Sequence, residues 1–134
     1  MSTATARAAF RAELAAAFPA LPYIETLSAR VDNVNLPDLW ASSDFIPISD
    51  QAIAIGKPTC FRELGTCRFF VVGRAGAGEA AVIAQADAIL NHFRSWRAQT
   101  IRVTGAIPPA PSDFSDGRWL ICAVDLAFTH DHFV

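Results

Sequence analysis

A strand that is apolar on both faces, joined by a glycine-rich turn to an amphipathic helix, constrains this chain more than any other feature. In Thr66 to Val72, Cys67, Phe69 and Val71 fall on one face and Arg68, Phe70 and Val72 on the other, because successive strand residues point to opposite sides. Such a strand belongs in the middle of a sheet or beneath a partner. The turn Gly73-Arg74-Ala75-Gly76-Ala77-Gly78 follows, and then a run from Glu79 to Trp96. There Val82, Ile83, Ala86, Ile89, Leu90, Phe93 and Trp96 form one helical stripe, with Gln85, Asn91 and Arg94 outside it. Glu79 suits the positive end of the helix dipole. This helix is expected to lie on the sheet.

The rest of the chain supplies a second helix and more strands. Thr3 to Phe18 repeats Phe10, Leu14 and Phe18 every fourth residue, with alanine between, and Pro19 and Pro22 end it. Asp32, Asn33, Asn35 and Pro37 mark a turn-rich connection. Trp40 to Ile48 reads as a short or bulged strand, Ala52 to Ile55 as a second extended run, and Gly56-Lys57-Pro58 as a turn. Ile101 to Ile107 and Trp119 to Phe128 read as two more strands around a polar loop, Pro108 to Gly117. The expected fold is α+β: a mixed, mostly antiparallel sheet of about five strands, with two main helices on one face. Residues 1–134 are expected to form one domain, the usual size for a single core.

Hydrophobic residues make up 52% of the chain and charged residues 18%. Alanine inflates the first figure, but ten Phe and three Trp are more apolar surface than a small monomer hides, so part of it is expected at partner interfaces. A formal net charge of −2, and a single lysine, Lys57, argue against binding nucleic acid through a basic surface. Cys60, Cys67 and Cys122 cannot all pair within the chain and sit in apolar runs, which fits folding in a reducing compartment. The first residues lack the pattern of a signal peptide, and no apolar run is long enough to span a bilayer, so soluble, cytoplasmic synthesis is expected.

No motif completes a catalytic or ligand-binding set. The Gly73–Gly78 turn stands where a phosphate loop would, but it has no Gly-Lys-Ser/Thr ending and its glycines miss the dinucleotide spacing. The plainer reading is a strand-to-helix connection that tolerates positive φ. His130-Asp131-His132 sets two imidazoles on one strand face, yet a metal needs a third ligand, and only His92 or a distant carboxylate is offered. Cys60 and Cys67 lack redox spacing. Asp113 and Asp116, with Ser112 and Ser115, have no base near in sequence. Asp32-Asn33-Val34-Asn35 lacks the glycine and glutamate of a calcium loop. The chain is therefore expected to be no enzyme, with no catalytic residue, cofactor or metal.

The order of elements resembles a known family. The alanine-rich first helix, Arg62-Glu63-Leu64-Gly65-Thr66-Cys67-Arg68-Phe69-Phe70-Val71-Val72, the Gly76-Ala77-Gly78 turn, and the helix Ala81 to Phe93 with Ala86-Asp87-Ala88-Ile89 look like tail terminator proteins. These belong to long-tailed phages and phage-derived gene transfer agents. Asp116-Gly117-Arg118-Trp119, leading a strand that ends in Ala127-Phe128, is similar to their closing segment. The resemblance runs from about Phe10 to Phe128 and is weakest over Ala20 to Trp40.

That resemblance implies a structural protein: a homo-hexameric ring at the head-proximal end of the tail. The ring would end polymerisation of the tail tube protein and meet a connector or stopper protein on the head side. DNA would cross its lumen without specific binding, and no membrane is involved. The protein would be made in the host cytoplasm and built into the particle at the head–tail junction. Another neck or head-closure protein is the near alternative. A nucleotide- or ligand-binding module using the Gly73–Gly78 turn, or a ferredoxin-like regulatory domain, are alternatives of other classes. The residues expected at protein contacts are Lys57 and Pro58 in their turn, and Pro108, Pro109, Pro111 and Phe114 in the loop, where Phe114 would anchor a docked partner.

Overall fold

In the computed structural model, residues 2–24, 37–74, 79–98, 100–113 and 119–133 are described. Helix α1 spans Ser2–Ala17 and helix α2 Glu79–Arg94; the strands are β1 Leu39–Ala54, β2 Cys60–Arg74, β3 Ile101–Asp113 and β4 Trp119–Phe133. They form one sheet in the order β1-β2-β4-β3, with every neighbouring pair antiparallel. The fold is α+β as expected, but the sheet has four strands where about five were expected. The fifth disappears because Trp40 to Ile48 and Ala52 to Ile55 are one strand. It is interrupted by register shifts between Pro47 and Ser49 and between Ala52 and Ala54, and a bulge lets pairing continue where alternation breaks. The only parallel pairing among the described residues is one bridge, Tyr23 with Ala41.

β2 takes the inner position that its two apolar faces require. Its odd residues face the helices. Cys67, Phe69 and Val71 meet Cys122, Val124, Leu126 and Phe128 of β4, and both helices cover them with Phe10, Leu14, Val82, Ala86, Ile89, Leu90 and Phe93. Phe10 is the hub. Its ring lies 5.2 Å from Phe128, 5.7 Å from Phe93 and 4.9 Å from Trp96, centroid to centroid, within the range where aromatic pairs attract beyond their buried area. The α2 stripe is core as expected for Val82, Ala86, Ile89, Leu90 and Phe93, while Ile83 is only half-buried.

Two glycines set how closely this core packs. A Cβ on Gly65 would stand 2.7 Å from the Phe128 ring, so only glycine admits that ring beside β2. Gly73 does the same for Val82 of α2, whose methyl would overlap any added Cβ. The sequence placed Gly73 in a turn that tolerates positive φ. It lies instead inside β2, and its small size serves helix-to-sheet contact.

The polar loop expected over Pro108 to Gly117 is corrected in the same way. β3 runs on to Asp113, pairing Ala110 with Ala123 and Asp113 with Leu120. β3 is an edge strand, so prolines lose no ladder bond on their open side, and the register shift between Ile107 and Ala110 takes up Pro108 and Pro109. Phe114, Ser115, Asp116 and Gly117 lie outside the described residues.

Candidate interaction surface

Among the described residues, no helix lies on the opposite face of the sheet. Its top end holds a small cluster, Trp40, Val72 and Trp119, with Ile24, Phe70 and Ile121 packed on it. Arg74 closes that end, stacked over the Trp119 ring at 4.6 Å and bound to Asp38 at 2.7 Å. Below it the face opens to solvent. Strand alternation brings Arg68 opposite Asp125 and Arg62 opposite Asp131. Each pair is bidentate, with Arg68 Nε donating to Asp125 at 2.6 Å and Arg62 Nε to Asp131 at 2.8 Å. The arginine donors hold the Asp131 carboxyl below its ordinary range, and its carboxylate raises Arg62 in turn.

Between these pairs lies a hollow of about 380 Å³. Its floor is small, with Thr66, Gly105 and Ala127, and its walls are Ile46 and Ile107. Ile107 is 60% exposed and Ile46 37%. A second uncovered region is the corner where β1 turns into β2. Past Phe45 no residue of β1 is buried; Ile48 is 66% exposed and Ile55 wholly so, with Lys57 and Pro58 beside it in the turn. The Lys57–Pro58 peptide is cis. Exposed large apolar side chains gathered at one site mark contact surfaces, whereas scattered ones do not.

The residues singled out in the sequence fall in different places. Lys57 and Pro58 are exposed at this corner. Pro108, Pro109 and Pro111 are in edge strand β3, some way along the sheet, and Phe114 lies outside the described residues. Ala75 to Gly78 of the glycine-rich turn, and Asp32 to Asn35, are also outside them. His130 and His132 share a face of β4, but the helix-side one. His130 is buried beside its cross-strand neighbour Glu63, and burial pushes its imidazole below the ordinary value. His132 bonds to Asp50 at 3.0 Å and stacks on Phe61. His92, the offered third ligand, instead meets Glu13 at 2.7 Å. Among the described residues no group of three or more His, Cys, Asp or Glu is placed to hold a metal. The cysteines are free, and burial drives the Cys67 thiol well above its usual value, away from the reactive thiolate. No described helix is long and apolar enough to cross a membrane.

The sequence reading missed the open face. Its signal was present in β4, where Asp125, Ala127, Thr129 and Asp131 alternate with Val124, Leu126, Phe128 and His130, the pattern of a strand buried on one side. The chain matches no family model, and no curated protein matches its sequence.

Proposed function

We propose that the protein is a non-catalytic assembly subunit, a ring-forming tail terminator at the head-proximal end of a phage-type tail. One observation carries the reading: Ile46, Leu64 and Ile107 on the open face and Ile48, Ile53 and Ile55 at the hairpin corner are uncovered, beside ion pairs that are already satisfied. A surface built that way offers shape and apolar area to another protein and little to a charged small molecule. The motif resemblance supplies the particular role. The formal charge of −2 supports a conduit that DNA crosses without being held, since binding by counterion release needs clustered cations. In this role the ring would be a homo-hexamer that meets the tail tube protein on one side and the head-side connector on the other.

The test is assembly. Purified chain is added to polymerising tail tube protein, and tube lengths are measured by electron microscopy. Tubes that stop growing, each with a ring on one end, support the role. Unlimited growth with no chain bound to tube ends removes it, and binding to a connector alone moves the protein to a neck or head-closure position.

A further inference from the structure

We infer that the β1–β2 corner of one subunit seats in the hollow on the open sheet face of the next, joining identical chains head to tail. The closure of that contact into a ring rests on the function proposed above; the contact itself does not.

Three features meet in it. The corner is a knob. Ile53 is 47% exposed, Ile55 is wholly exposed, and every residue from 50 to 58 is exposed. The hollow is its complement, with a floor of Thr66, Gly105 and Ala127 and room for more than one aliphatic side chain between Ile46 and Ile107. A chain cannot fill its own hollow, because the strand from Ile46 to Ala54 separates knob from hollow by about 26 Å at ~3.3 Å per residue. A second copy can, and a knob and a hollow at different places on one molecule make a heterologous contact.

Charge selects the direction. The hollow's rim carries Asp44 and Asp125 against Arg68, a local excess of one negative charge. The tip of the knob, Ile53 to Pro58, carries one charged residue, Lys57; Asp50 lies farther back and is bonded to His132. Further down the face Arg62 and Arg102 surround Asp131 and reverse the balance. The knob therefore meets the hollow end of the face and is turned from the other, since rim charges steer register and orientation.

Two variants test it. Gly105→Trp aims a large side chain into the hollow from a position where a Cβ makes only ordinary contact with the Ala127 methyl, at 3.8 Å. Ile55→Glu spoils the knob at a wholly exposed position. Neither variant should melt more than about 2 °C below the parent chain. Each alone should self-associate about thirtyfold or more weakly by analytical ultracentrifugation. Mixed one to one, they should form dimers and nothing larger, the sound knob of the first in the sound hollow of the second. Lys57→Glu, which leaves both apolar parts intact, should weaken association less than Ile55→Glu does.

A parent chain that stays monomeric at about 1 mM overturns the inference. So does undiminished association of both variants, or a mixture that gives no dimer. The two readings separate cleanly. Dimers rescued by mixing, with no binding to tail tube, leave the contact standing and sink the tail role. Rings on tube ends from both variants sink the contact and leave the role.

Discussion

The two faces of this sheet are made by the same strands, yet they obey different rules. On the helix side Phe10, Phe69, Phe93 and Phe128 are all fully buried, and glycine marks where two surfaces come too close for a methyl. On the open side arginine and aspartate pair across strands, and a Cβ on Gly105 would make no more than ordinary contact with Ala127. One residue of offset along a strand changes a packing problem into a solvation problem. The lesson is that a residue's type says little here until its face is known.

Substitution can break that contrast most violently at its centre. Phe10→Ala should cost about 3–5 kcal/mol, because it empties the space between five aromatic rings. Ile107→Ala, on the open face, should cost under about 0.5 kcal/mol. Urea unfolding of both variants measures the difference, and equal losses would mean that the open face is not open.

The glycines sharpen the comparison because one substitution should change sign between faces. Gly65→Ala should destabilise by about 1–3 kcal/mol, since the Phe128 ring or the sheet must shift. Gly105→Ala should stabilise by about 0.4–1 kcal/mol, since its methyl meets no obstacle and the unfolded chain loses freedom. Thermal melts of the two proteins read this directly.

His130 extends the contrast to pH. Burial holds its folded pKa below the ordinary 6.5. The unfolded chain therefore takes up a proton first as pH falls, and stability is lost from about 6.5 downward through the folded pKa. Glu63, Asp131 and Asp50 oppose this shift and His132 adds to it. In His130→Gln the fall in melting temperature between pH 7.5 and pH 5 should be smaller than in the parent; an equal or steeper fall would show that the buried imidazole is not the cause. The smallest effect is expected at the surface, where Asp125→Asn should cost only about 0.2–1 kcal/mol and less in high salt, because the Arg68 pair is partly exposed.

Much of the fold was legible because periodicity survives in the sequence wherever one face is dry. The α2 stripe, the inner position of β2 and the helical repeat of Phe10 and Leu14 all came from spacing. Strand ends did not. Prolines at 108, 109 and 111 read as a loop because proline donates no hydrogen bond, but an edge strand asks for none on its open side. The polar stretch around Ser42 to Asp44 read as the middle of a short strand, although Asp44 simply faces Arg68 on the open side. The open surface was illegible for a different reason. Its hollow is assembled from β1, β2, β3 and β4 at once, from positions 46 to 127, and no local pattern carries such a juxtaposition.

The prolines of β3 have a consequence beyond the strand they interrupt. Sheets spread from molecule to molecule when each offers two hydrogen-bonding margins, one to receive a strand and one to be received. Here the margin at β3 is broken by Pro108, Pro109 and Pro111, while β1 has Tyr23 bridged to its beginning and Pro47 with a bulge farther on. Two such molecules could at most share one margin, and the ribbon would end there. The sheet route to fibres is thus closed off, and any contact between two molecules of this chain is left to side chains.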